Sequence, residues 1–437
     1  MAIQHDVREG EGQRLIRTPN VNSTSFKQTL KWCPLPVALL FLALIIPTEI
    51  SFDLGGLRLT PYRVVLIVMF FPSLFRLRGN SLRGGGWVDI MIAFNVFWSF
   101  GALAVIHGFD VALESGGVRA LELSGAYLVA RAYICDIKSF KGSFAFITSI
   151  VVVLAPITFY ESLTGQHIIK EIAVLITGGS FSSAIDTRFG FSRAFGPFDH
   201  PILYGVFAAS VFGIATYNVA EGSRKKGAHR IRQALIVLAA VSSVSSGAMA
   251  ALSTQFLLCF WDKFTKKIAS RWKLLLFIFV SFFIIVDLFS NRSAMTVFLS
   301  YFSFSTATAY NRIIIFEYGI QDVWRNPIWG IGFNVWTRPS WMHSTSMDNF
   351  WLFQAVTFGI PSFLSLALAT LILLFKNWKS TLGYVRQLRT GWTISLISLI
   401  IAASTVHFWN SLFVYFAFIL GSGCWFVRIA KRPAKSM

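Results

Sequence analysis

The side chains able to do chemistry in this 437-residue chain gather in two segments that lie between apolar stretches, at about 162–199 and 291–348. The first ends TRFGFSRAFGPFDHP and sets Arg188 and Arg193 beside glycines and a proline. The second carries Tyr310, Arg312, Trp336, His343 and Asp348. A guanidinium is a planar fork of donors that matches phosphate oxygens, and it keeps its charge when partly desolvated. A carboxylate or imidazole, at Asp348 or His343, can take the proton of an attacking hydroxyl. The faces of Tyr310 and Trp336 suit the C–H edges of a sugar ring. Such a set fits a substrate with an anionic headgroup, a glycan and a lipid tail.

Simpler roles compete for several of these residues. Asp348 precedes the apolar run FWLFQAVTFGI and is suited to cap a helix there. Asp199-His200 before Pro201 reads as a helix start, with proline in the first helical position. Gly330 and Gly332 form a lone GxG with no strand before it, so a dinucleotide site is not indicated and a turn packed close to the arginines is. From Arg312 a segment with Ile313, Phe316, Ile320 and Trp324 at helical spacing runs to a stop at Asn326-Pro327. Glu317 on that segment is the expected orienting partner of Arg312. Arg292, Arg325 and Arg338 are secondary phosphate candidates.

The elements holding these loops must be membrane helices. The chain is 55% hydrophobic and 14% charged, with mean hydropathy +0.62, too apolar to cover a globule in water. The net charge of +19 is spread in short clusters beside apolar spans, which suits anionic lipid headgroups and not nucleic acid. Cys33, Cys135, Cys259 and Cys424 show no metal or disulfide spacing. The polar residues 1–33 lack a small-residue cleavage site and read as a cytoplasmic tail.

A span takes about 20 residues, which gives candidates at 35–52, 61–75, 87–107, 115–133, 143–161, 200–219, 272–290 and 349–375. The runs 232–262 and 391–427 are too long for one crossing, and both have basic residues on both flanks. Lys and Arg favour the cytoplasmic side, so each run is predicted to be a hairpin, turning near Ser245-Ser246-Gly247 and near Trp409-Asn410. The expectation is an all-α polytopic membrane protein of about twelve transmembrane helices over 34–428, with both termini, including 429–437, in the cytoplasm and two long periplasmic loops. Within 115–133, Arg119 and Glu122 share a helix face and are expected to pair.

The stretches RAFGPFDHP, NRIIIFEYGIQDVWRNPIWGIGF and DNFWLFQAVTFGIPS, in this order around the predicted spans, resemble the O-antigen ligase and Wzy-type polysaccharide polymerase superfamily, including ExoQ-like exopolysaccharide proteins. The resemblance implies a GT-C-like, metal-independent, inverting glycosyltransferase of the bacterial inner membrane with a periplasmic active site and no cofactor. Its donor would be a polyprenyl-diphosphate-linked glycan and its acceptor a second glycan, with membrane lipids, a chain-length regulator and a flippase as partners. It also implies that Arg193 and Arg312 grip the diphosphate. The family's ligases carry His-Asn, nine residues, then glycine; this chain has Asp348-Asn349, nine residues, then Gly359. Aspartate in the histidine position favours a polymerase over a ligase acting on lipid A core. A transporter or lipid-linked glycan flippase, which shares the twelve-span plan, and a scaffold for polysaccharide machinery are the alternatives.

Overall fold

The computed structural model describes residues 29–77, 85–181, 187–218, 226–291, 297, 306–342, 344–375 and 383–429. Within them the chain is mostly helical. In order come α1 (Leu35–Leu44), a two-stranded hairpin of β1 (Phe52–Leu54) and β2 (Leu57–Leu59), α2 (Pro61–Leu77), α3 (Trp87–His107), α4 (Gly117–Tyr133), α5 (Ile137–Thr164) and α6 (Ile168–Thr177). There follow α7 (Pro201–Tyr217), α8 (Lys226–Ser242), α9 (Ser246–Phe264), α10 (Arg271–Phe289), α11 (Thr306–Arg325), α12 (Phe350–Phe375), α13 (Gly383–Ala403) and α14 (Asn410–Ile429). Five of these, α3, α5, α10, α12 and α14, are long and apolar enough to cross a membrane.

The centre is α14, whose side chains from Leu412 to Val427 are buried almost without interruption. It packs on α4, while α12 packs on α3 and α7 is surrounded by α8, α9 and α13. Small residues permit the close approach. A Cβ on Gly421 would lie 2.3 Å from the Tyr127 carbonyl oxygen, and one on Gly423 would lie 2.2 Å from the Trp392 ring. By contrast α10 is apolar on every side and buries no residue; Phe277, Phe282 and Phe289 are all exposed. A helix of that composition is at home in lipid and not in water.

Both long runs turn back where the flanking charge placed the turn. α8 ends at Ser242 and α9 starts at Ser246; α13 ends at Ala403 and α14 starts at Asn410. Two expectations about the spans fail. The stretch 35–52 is not one helix: α1 stops at Leu44, and Gly55 and Gly56, both at positive φ, turn the β-hairpin that follows. Arg119 and Glu122 do not form an ion pair, because α2 brings Arg63 Nη2 to 2.8 Å and Tyr62 Oη to 3.1 Å from Glu122 Oε1. Arg119 instead donates to Gln354 Oε1 at 2.5 Å.

α12 is broken at Gly359, where φ is +82°. The carbonyls that the break releases are taken up from outside the helix. Ile331 N donates to Val356 O at 2.8 Å, Gly332 N to Thr357 O at 3.0 Å, and Trp98 Nε1 to Phe358 O at 3.1 Å. Ile360 N in turn donates to Pro327 O at 2.8 Å. The GxG turn therefore packs into the break in α12 and against His107, not beside the arginines.

Candidate functional site

The backbone around Arg193 is fixed residue by residue. Ser192 N donates to Ser162 O and Ala194 N to Ser242 O, each at 3.0 Å. Glu161, buried at the end of α5, accepts from Phe195 N at 2.8 Å and from Gly196 N at 3.1 Å. Its Oε1 also bonds His167 Nδ1. Charge-assisted bonds to a carboxylate are roughly twice as strong as neutral ones. This stretch, which has no regular secondary structure, thus holds Arg193 buried, next to the residue whose backbone bonds Ser242 at the end of α8.

Arg312 reaches the turn between α8 and α9 from the other loop. It lies in the first half of α11, buried, and its Nη2 donates to Ser246 Oγ at 3.3 Å. The helix ends at Arg325, before Asn326-Pro327, as the sequence predicts, but it buries a different face. Ala309, Arg312, Ile315, Gly319, Asp322 and Val323 point inward, whereas Trp324 is 70% exposed. Polar groups on the inward face have partners: Asp322 accepts from Thr337 N at 2.6 Å and Thr337 Oγ1 at 2.8 Å. Glu317 points to solvent, so it does not orient Arg312.

The carboxylate whose charge acts on Arg312, and is acted on by it, is Asp348. Burial lifts the Asp348 carboxyl above the usual carboxylate range, and Arg312 and a hydrogen bond from Ser346 pull it partly back. Burial, with Arg188 adding to it, lowers Arg312, and Asp348 opposes the shift. Asp348 is not the helix cap. Asn349 Oδ1 accepts from Leu352 N at 3.0 Å and caps α12, which leaves the aspartate carboxyl to the arginine.

Arg188 sits on a four-residue hairpin, 188–191, bridged to Phe191 and turned by positive φ at Phe189 and Gly190. Its charge acts on both His200 and Arg312. His200 caps α7, its Nδ1 accepting from Ile202 N at 3.2 Å, with Pro201 in the first position as expected. Burial first, then Arg193 and Arg188, push this imidazole down to about 4, so it is neutral near pH 7. Asp199 is occupied by Thr48 Oγ1 and, at 2.8 Å, by Asn410 Nδ2.

Arg188, Arg193, Arg312 and Asp348 thus share one end of the helix bundle with the 242–246 turn. The aromatic candidates are less central. Tyr310 is exposed and stacks on Trp341 with ring centroids 5.9 Å apart. Trp336 is buried, donates to Thr345 O at 2.9 Å, and lines an open cavity of about 440 Å³ formed by residues 335–340 and Met342, with Arg338 on its wall. Arg325 is exposed beside Asp322. His343 and Arg292 lie outside the described residues. Two contributors went unread in the sequence: Glu161, whose backbone partners lie 34 and 35 residues away, and the serine turn. Only the run Ser242-Ser243-Val244-Ser245-Ser246 itself could have marked the latter.

The chain matches no family model and no curated protein.

Proposed function

We propose that the chain is an inner-membrane glycosyltransferase that polymerises polyprenyl-diphosphate-linked oligosaccharide repeat units, working at the periplasmic ends of about twelve GT-C-like membrane helices. The observation that carries this reading is the arrival of both loops at residues 242–246, through Ala194 N beside the buried Arg193 and through Arg312 Nη2, with Asp348 coupled to Arg312. The arginines stabilise charge on the departing diphosphate by preorganised donors. Asp348, with its proton affinity raised by burial, accepts the proton of the acceptor hydroxyl as that oxygen attacks the anomeric carbon with inversion. The C–O bond to the diphosphate breaks, and the electron pair leaves with polyprenyl diphosphate. No metal is needed in this scheme.

Ligation to lipid A core uses the same donor chemistry with another acceptor. A flippase reading draws on the broken α12, since discontinuous helices line transport sites in other membrane proteins. One assay separates the three. Purified protein in liposomes, with chelator and lipid-linked repeat as the only glycan, is expected to yield polymer and free polyprenyl diphosphate. Product only on addition of lipid A core identifies a ligase, and translocation without a new glycosidic bond identifies a flippase.

A further inference from the structure

A second polar group lies at the same end of the bundle, on α4, α12 and the α13–α14 turn. Arg119 in the first turn of α4 lies over the rings of Phe358 and Phe413, 4.4 and 4.9 Å from their centroids, and donates to the fully buried Gln354. His407 packs on Phe353 with centroids 4.1 Å apart, and Phe353 adjoins Gln354 in the chain. Three atoms here, Arg119 Nε, Gln354 Nε2 and His407 Nδ1, are buried with no hydrogen-bond partner among the described residues. Each such group is destabilising unless something bonds it. The carboxylate nearest in sequence, Glu122, is committed to Arg63 and Tyr62, and no ion pair among the described residues includes Arg119. Burial and the Arg119 charge push His407 down to about 3, so its ring is neutral and presents an N–H to an acceptor.

Both helices are irregular beside the group. A π-turn, Ala112–Gly116, leads directly into the first turn of α4, and α12 breaks at Gly359, five residues past Gln354. π-turns recur at functional sites because they redirect side chains. A guanidinium that hydrogen-bonds a neutral amide and shares the Glu122 charge with Arg63, next to amide and imidazole N–H groups, suits an oxyanion. Phe109 and Leu113, just ahead of Arg119, are 64% and 59% exposed and give an apolar approach to it.

We infer that Arg119, Gln354 and His407 form a second phosphate-binding subsite, which holds the lipid-borne phosphate of the acceptor while Arg193 and Arg312 hold that of the donor. The inference rests on the polymerase reading, in which two lipid-linked molecules meet on one protein and only the donor loses its lipid. Recognition is by hydrogen bonds from the three N–H-bearing groups to phosphate oxygens, and no bond is made or broken there.

Native mass spectrometry of the full-length protein in detergent, with bare C55 polyprenyl diphosphate as probe, tests it. Wild type is expected to hold two lipids, Arg119→Gln one, Arg312→Ala one, and the double variant none. Gln354→Glu supplies an internal carboxylate for Arg119, so it should hold one lipid and melt no lower than wild type. This second variant keeps the test sharp if Arg119→Gln folds poorly. Inorganic pyrophosphate alone should leave no retained adduct; an adduct lost in Arg119→Gln would overturn the lipid assignment. Two lipids on Gln354→Glu, or a single lipid on wild type that Arg312→Ala alone removes, would overturn the subsite and leave the donor site standing. Loss in Arg119→Gln with none in Arg312→Ala would do the reverse.

Discussion

The two loops reach the same turn, each with a buried arginine, by opposite means. Around Arg193 the chain is irregular and depends on distant partners: Ser162, Ser242 and above all the buried Glu161. Arg312 rides on a regular helix, and its neighbour Asp348 is freed for electrostatics because Asn349 does the capping. An irregular loop is as precise as a helix when each backbone N–H has a fixed acceptor. The cost is that its precision hangs on a few remote side chains.

The largest expected effect falls on the second loop. Asp348→Asn removes the proton acceptor and should slow transfer by about 10²–10⁴-fold, while leaving the melting temperature nearly unchanged because the cap is on Asn349. A wild-type rate would strip Asp348 of its role. The pH profile carries the same information. Asp348 must be ionised to act, and burial raises its proton affinity, so activity is lost as pH falls through a value above the ordinary carboxylate figure of about 3.9. The residual rate of Asp348→Asn should lack that acid limb, and His200, already neutral, should add none near pH 7.

Gly359→Ala probes what seats the second loop. A positive φ costs a non-glycine residue about 1–3 kcal/mol, and the added Cβ would lie 1.9 Å from Ile328 O. Thermal melting should fall accordingly, and unchanged melting would show that the break in α12 is not needed for docking of residues 327–332.

Glu161→Gln is the matching probe of the first loop. An amide has one acceptor oxygen where the carboxylate offers two, so one of Phe195 N and Gly196 N loses its partner, at about 1–3 kcal/mol. The apparent KM for the lipid-linked donor should rise more than kcat falls, because Arg193 is loosened while Asp348 is untouched. Equal damage to both parameters would mean that the loops are not held independently.

Much of the scaffold was legible in the sequence, and the reasons are local. Basic flanks around runs too long for one crossing gave both helical hairpins, and Asn326-Pro327 gave the end of α11. What failed depended on partners brought in by the fold. The inward face of α11 carries two charged residues among apolar ones, because Arg312 and Asp322 find partners in the 242–246 turn and at Thr337. The Arg119–Glu122 pairing lost to Arg63 on another helix. Asp348 and Asn349 are both good capping types, and only the position of the first helical residue decides between them. Gly55-Gly56 between two leucines was a readable hairpin signal inside a stretch assigned to a span.

The central claim is that arginines from both loops stabilise one departing diphosphate, and Arg312 tests it most directly. In liposomes supplied with lipid-linked repeat, Arg312→Ala should lose at least about 10²–10³-fold in release of polyprenyl diphosphate, as for loss of one preorganised donor to developing charge. Arg312→Lys should recover little, because the planar fork is gone. Release by folded Arg312→Ala at the wild-type rate would contradict the account.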